Sequence, residues 1–236
     1  MTLSNESRDR FKDAFVPVAL AMGRTGLTPD ALTVIGFLVT VVGAVFLSQQ
    51  LWLAGGLVVF AGGVFDMFDG TLARATGRVS RLGAFLDSVF DRWGEALVYV
   101  GLIGGLGAAG WADAPLYAAA AMASAFMVSY VRARAEGLGF GAGRGIAAVG
   151  MMPREVRLVV LTVGLVLGGL FGTTVSVADG GFQGAGGAAV PFGIVTIEIA
   201  LAIIAVGATI TTIQRILHVR SQARQQASSQ PTETNT

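Results

Sequence analysis

The sequence predicts an all-α polytopic membrane protein, with six transmembrane helices preceded by an N-terminal amphipathic helix lying in the interface. Three observations carry that prediction. First, of 236 residues, 53% are hydrophobic and only 13% charged, with a mean hydropathy of +0.69; soluble domains usually carry about 25% charged residues. Second, apolar runs near the ~20 residues that a bilayer core requires recur at 31–48, 52–73, 83–106, 114–135, 155–172 and 191–214. Third, all sixteen Lys and Arg residues fall at the N-terminus, in 74–92, in 132–157 or beyond 214. The three loops on the other side hold none, which fits an even number of spans with both termini in the cytoplasm.

Each element has its own warrant. Phe11, Phe15, Val18 and Met22 recur at helical spacing in residues 5–22, with Arg8, Asp9, Lys12 and Asp13 between them. That pattern predicts a helix lying in the inner interface, kinked or ended at Pro17. Thr28 or Asp30 caps the first span, with Pro29 beside them. Gln49 and Gln50 mark an outer turn, 74–82 a short basic loop and 107–113 a second outer loop. Residues 136–153 read as a Gly-rich inner loop and 173–190 as a Gly/Ala/Val outer loop. Residues 1–216 thus form one membrane domain, of which 1–29 are the interfacial helix and linker. The polar stretch 217–236 is expected to be a disordered cytoplasmic tail.

The chemistry is concentrated between residues 66 and 91. The sequence there reads Asp66-x-x-Asp69-Gly70-x-x-Ala73-Arg74, eight residues, then Gly83-x-x-x-Asp87-x-x-x-Asp91. Four carboxylates inside apolar surroundings are costly and point to a function, with a cation as their partner. Asp66 and Asp69 share one helix face, as do Asp87 and Asp91. Joined by a short loop, spans two and three are expected to pack antiparallel. Folding them about residue 78 sets Asp69 level with Asp87, and Asp66 level with Asp91. The chain has no cysteine, and its single histidine, His218, lies in the polar tail. Any metal is therefore held by oxygen, as Mg²⁺, Mn²⁺ and Ca²⁺ are. Gly70 and Gly83 allow close approach of a helix or a phosphate, and Arg74 can turn back toward a phosphate. The alternative is a salt-bridge cluster of the aspartates with Arg74, Arg78, Arg81 and Arg92.

The full pattern, eight specified positions in 26 residues, resembles the signature of the CDP-alcohol phosphotransferase family at every fixed position. The resemblance implies a membrane transferase that moves a phosphatidyl-type group from a CDP-lipid to an alcohol and releases CMP. It also implies two divalent cations, Mg²⁺ or Mn²⁺, and a homodimer. On that resemblance Asp66, Asp69 and Asp87 ligate one metal, and Asp66, Asp87 and Asp91 the other. Asp91 is also the base that deprotonates the acceptor hydroxyl. Asp69, Gly70, Arg74, Ser80 and Gly83 surround the cytidine diphosphate.

The second half of the chain bears on the acceptor. Ser129-Tyr130-Val131-Arg132-Ala133-Arg134-Ala135-Glu136 is similar to a segment of the bacterial phosphatidylinositol phosphate synthases. Arg154-x-x-Arg157-Leu158 and Gln214-Arg215 resemble the basic pairs at their fifth and sixth spans. The resemblance implies a pocket of Arg132, Arg157 and Arg215, flanked by Arg134 and Arg154, for the phosphate of inositol 1-phosphate. Independently, guanidinium clusters suit a phosphate-bearing acceptor better than a neutral alcohol. Glycerol 3-phosphate is the competing acceptor, and positive-inside anchoring the simpler reason for these arginines. A divalent-cation transporter is the remote alternative, opposed by acids that cluster at one end instead of the midplane. The expected partners are a CDP-lipid, a phosphorylated small alcohol, membrane lipids and a second copy of the chain, with no nucleic acid. The expected location is the cytoplasmic membrane, with both termini and the active site on the cytoplasmic side.

Overall fold

In the computed structural model, residues 16–140, 145–172, 182–183, 189–190 and 192–229 are described. Residues 16–24 are helical (α1); the earlier part of the expected interfacial helix lies outside the described residues. Six long helices follow: α2 (Pro29–Ser48), α3 (Trp52–Ala75), α4 (Arg81–Ala108), α5 (Ala114–Gly137), α6 (Arg154–Phe171) and α7 (Phe192–Ser229). They coincide with the six apolar runs. A short 3₁₀ turn, Ile146–Ala148, precedes α6. Among the described residues the only strands are an antiparallel pair, Phe182–Gln183 with Ala189–Val190. By length and composition α2, α3, α5 and residues Phe192–Gln226 of α7 are apolar enough to cross a membrane, so this is a multi-pass membrane protein. The charges of α4 (Asp87, Asp91, Arg92, Glu95) and of α6 (Arg154, Glu155, Arg157) set those two helices apart.

Local chemistry fixes the helix starts near the site. Thr28 caps α2, its hydroxyl accepting the Ala31 N–H at 3.2 Å, with Pro29 opening the helix. Ser80 caps α4 in the same way, accepting the Gly83 N–H at 2.9 Å. The α2–α3 turn is tight enough to put Gln50 at φ 63°.

The principal packing pairs are α2 with α3, α3 with α6, α6 with α7, α7 with α5, α5 with α4, and α4 with α2. These six pairs close a ring. Its core runs through Leu47, Trp52, Tyr99, Leu102, Leu106, Leu165, Ile197 and Leu201. Two glycines illustrate how closely α2 is approached. A Cβ on Gly101 would lie 2.3 Å from the Ala44 carbonyl oxygen, and one on Gly62 2.2 Å from the Thr40 hydroxyl. At the aspartate end, Ala19 of α1 is buried with Leu32 and Leu72, so α1 is seated on α2 and α3.

Two expectations are corrected. α3 and α4 do not pack along each other; both pack on α2, and their acidic faces look across the gap between them. Like charges and a need for room beside them disfavour close contact there. Nor is the polar stretch after 216 a disordered tail throughout: α7 continues to Ser229 as one helix of 38 residues. Arg, Gln and Ala in that stretch propagate a helix that is already nucleated.

Candidate active site

α3 supplies Asp66 and Asp69, and α4 supplies Asp87 and Asp91. One carboxylate oxygen each of Asp66, Asp69 and Asp87 lie within 4.8 Å of one another. That is the geometry for a single oxygen-coordinated divalent cation. The site therefore fits the metal that its donor set implies, and neither thiol nor imidazole competes. Asp69 is the deepest of the four, 5% exposed, and accepts a 2.5 Å hydrogen bond from the Thr33 hydroxyl of α2. Arg154, at the start of α6, bridges the two helices: its Nη1 lies 2.5 Å from Asp66 Oδ2 and 2.6 Å from Asp91 Oδ1. Arg92 Nη2 reaches Asp91 Oδ2 at 3.3 Å.

The salt-bridge alternative is met only in part. Among the described residues neither Arg74, Arg78 nor Arg81 pairs with an aspartate; Arg92 and Arg154 do. Arg74 instead folds back over Gly70, where a Cβ would lie 3.2 Å from its Nη1, and donates weakly to the Thr71 hydroxyl. Its guanidinium thus stands over bare backbone. Across the hairpin, a Cβ on Gly83 would meet Ser80 Oγ at 3.0 Å and Asp30 Oδ1 at 3.1 Å. Gly70 and Arg74 thus lie together on α3, and Ser80, Gly83 and Asp30 lie together at the start of α4.

A second group of charges lies beside Asp91. Arg157, 2% exposed, grips Glu95 through Nε–Oε1 at 2.8 Å and Nη2–Oε2 at 2.9 Å. Arg215, 4% exposed, donates to the Val149 and Val128 carbonyls at 3.0 and 2.6 Å. Arg132, Arg157 and Arg92 are near enough to repel Arg215, and Glu136 near enough to attract it. Arg132 itself pairs with Glu136 at 2.9 Å. Four guanidiniums against two carboxylates leave this group with an excess of positive charge. The structure thus brings Arg132, Arg157 and Arg215 together and places Arg154 among the aspartates. Arg134, in the last turn of α5, has no ion pair among the described residues.

Residues 26–211 match the family model described as CDP-alcohol phosphatidyltransferase. The chain belongs to this family. The phosphatidylinositol phosphate synthase of Mycobacteroides abscessus is 37% identical over 171 residues, covering 70% of this chain and 74% of that protein. The archaetidylinositol phosphate synthase of Pyrococcus horikoshii is 35% identical over 157 residues, covering 66% and 78%. Among solved structures, Mycobacterium tuberculosis phosphatidylinositol phosphate synthase with CDP-DAG bound superposes with a TM-score of 0.68 at 29% identity, covering 86% of this chain and 92% of that one. The same enzyme in complex with manganese and citrate superposes with a TM-score of 0.67, also at 29% identity, covering 87% and 88%.

The structure also brings to the aspartate and arginine groups residues that the sequence pattern did not single out. Asp30 entered only as a capping candidate, yet its carboxylate faces Gly83. Thr33 is a polar residue in an apolar span whose partner is 36 positions away. Glu95 extends the Asp87-Asp91 stripe by one more helical turn, and that spacing was its only signal.

Proposed function

We propose that this phosphatidyltransferase transfers a phosphatidyl group from CDP-diacylglycerol to inositol 1-phosphate, forming phosphatidylinositol phosphate and CMP. The observation that carries the acceptor is the guanidinium cluster beside Asp91. Arg92 joins the cluster to the proposed base, so an acceptor whose phosphate is held there would present an alcohol hydroxyl to Asp91. The names of the relatives agree: one is a phosphatidylinositol and one an archaetidylinositol phosphate synthase, sharing the inositol phosphate and differing in the lipid.

In the reaction the acceptor hydroxyl oxygen attacks the lipid-side phosphorus of the CDP-lipid. The bond to the CMP phosphate breaks, its electrons leave with CMP, and the hydroxyl proton passes to Asp91. Asp66, Asp69 and Asp87 would hold one divalent cation, and Asp66, Asp87 and Asp91 would hold a second. When bound, these two cations, Mg²⁺ or Mn²⁺, polarise the pyrophosphate and offset the charge on the leaving CMP. Gly70 and Gly83 let the nucleotide phosphates approach the backbone, Arg74 covers them, and Ser80 holds the start of α4 in place. Arg157 and Arg215 are anchored by Glu95 and by carbonyls, leaving further N–H donors for the acceptor phosphate, with Arg132, Arg134 and Arg154 around them.

All six long helices span the bilayer, α4 and α6 with their charged ends at the cytoplasmic surface, and the protein works as a homodimer. The charge asymmetry of the loops supports this orientation, and the family resemblance supports the dimer. The deciding experiment measures CMP release from CDP-diacylglycerol with Mg²⁺ or Mn²⁺, using inositol 1-phosphate, inositol or glycerol 3-phosphate as acceptor. Turnover with inositol 1-phosphate alone is expected; equal turnover with glycerol 3-phosphate would overturn the acceptor assignment and leave the aspartate chemistry standing.

A further inference from the structure

Glu95 lies one helical turn beyond Asp91 on α4, outside the eight-residue motif, and faces the arginine group. Its carboxylate holds two guanidiniums at once. Oε1 and Oε2 take the fork of Arg157 from α6 at 2.8 and 2.9 Å, and Oε2 also takes Arg92 Nη1 at 3.2 Å. Arg92 continues to Asp91 Oδ2 at 3.3 Å and to the Ser129 hydroxyl of α5. Arg157 continues to the Met152 carbonyl at 3.1 Å. One carboxylate therefore ties α4, α5 and α6 together between the proposed base and the proposed phosphate site.

Charge neutralisation alone would not need this geometry. A single hydrogen bond cancels charge, whereas a bidentate carboxylate fixes the plane of a guanidinium. A cavity of about 40 Å³, lined by Thr40, Glu95, Val98, Tyr99, Arg157 and Leu161, lies directly beneath the pair. That is room enough for water beside the Arg157–Glu95 pair.

We propose that Glu95 is the positioning residue of the acceptor half-site. It sets the Arg157 fork for the acceptor phosphate and, through Arg92, holds Asp91 in register with the acceptor hydroxyl. The proposal rests on the acceptor assignment above. Its signature is selective: the acceptor loses affinity while the CDP-lipid, bound between α3 and α4 around Arg74, does not.

The test uses the full-length protein in detergent with Glu95→Gln and Glu95→Asp. KM for inositol 1-phosphate and for CDP-diacylglycerol is measured separately, together with the thermal stabilisation that each ligand gives. For Glu95→Gln the acceptor KM is expected to rise about tenfold or more, with the CDP-lipid KM within about twofold of wild type. Stabilisation by inositol 1-phosphate should vanish and stabilisation by CDP-diacylglycerol persist. Glu95→Asp keeps the charge but shortens the reach, so its effect should be intermediate; it carries the test alone if Glu95→Gln does not fold. Equal rises in both KM values, or an unchanged acceptor KM, would overturn the proposal. Wild-type protein that gains neither turnover nor stability from inositol 1-phosphate would overturn the acceptor assignment instead.

Discussion

Replacing Thr33 with valine removes one hydroxyl and leaves the shape of the α2 surface nearly unchanged. That hydroxyl donates to Asp69 Oδ2 at 2.5 Å, and Asp69 is only 5% exposed. Water therefore cannot take over the lost hydrogen bond without opening the α2–α3 contact. A hydrogen bond to a charged acceptor is worth about 1.5–3 kcal/mol, and each 1.4 kcal/mol is about tenfold in an equilibrium constant. If the bond acts by holding Asp69 charged and aimed at a cation, Thr33→Val should weaken Mn²⁺ binding about 10- to 100-fold, the range typical for groups that orient metal ligands. The assay is a Mn²⁺ titration of the detergent-solubilised protein followed by the EPR signal of free Mn²⁺, without lipid substrate. The Mn²⁺ dependence of CMP release runs in parallel. Saturating Mn²⁺ should restore kcat to within about threefold of wild type, because no group that touches substrate chemistry has gone. A Mn²⁺ affinity unchanged within about twofold would refute the reasoning, as would a kcat deficit that excess Mn²⁺ does not repair.

Other perturbations separate the parts of the site. Asp87→Asn removes a member of the carboxylate triad, and CMP release should fall by about 10³-fold or more at any metal concentration; a variant with normal turnover would sink the metal assignment. Arg215→Gln withdraws a guanidinium anchored on two carbonyls, and should raise the acceptor KM about tenfold while sparing the CDP-lipid KM, read from two-substrate kinetics. Gly101→Ala sets a methyl 2.3 Å from the Ala44 carbonyl oxygen, so α2 and α4 must move apart. A cost of about 1–3 kcal/mol is expected, seen as a lower Tm in detergent, and an unchanged Tm would contradict the close crossing.

What was legible in the sequence was what is local. The six helices follow from apolar runs and caps. The pairing of Asp66 with Asp69 and of Asp87 with Asp91 on single faces follows from spacings of three and four. Convergence of the aspartates also followed, because a short loop places both pairs at one end. What escaped was set by contacts between distant segments. Thr33 meets Asp69 across 36 positions, Arg157 meets Glu95 across 62 and Arg154 meets Asp66 across 88. None of these pairs leaves a periodic trace. The ring order escaped for the same reason. Adjacency in the chain suggested that α3 and α4 pack on each other, but α2 takes both as neighbours because Gly62 and Gly101 let it approach each closely.

The charges of the site account for the separation that α2 imposes. Asp66, Asp69, Asp87, Asp91 and Glu95 face Arg92, Arg154 and Arg157, so five carboxylates meet three guanidiniums. Two formal negative charges remain, at the α3–α4 gap where Asp66, Asp69 and Asp87 converge. Direct packing of α3 on α4 would press these carboxylates together in a low-dielectric setting, which their repulsion opposes. One divalent cation would balance them. A second would leave the gap positive, which is the condition for drawing in a pyrophosphate. The arginine cluster beyond Asp91 is positive without any metal, because Arg132 and Arg215 face only Glu136 there. On the proposed reading, the two halves of the site would take phosphate by different means, the nucleotide half through bound cations and the acceptor half through fixed guanidiniums. Metal removal should therefore abolish stabilisation by CDP-diacylglycerol while stabilisation by inositol 1-phosphate survives, a contrast that thermal unfolding in EDTA reads directly. Loss of both together would mean that the acceptor phosphate also sits on the metals and that the arginines only anchor the helices.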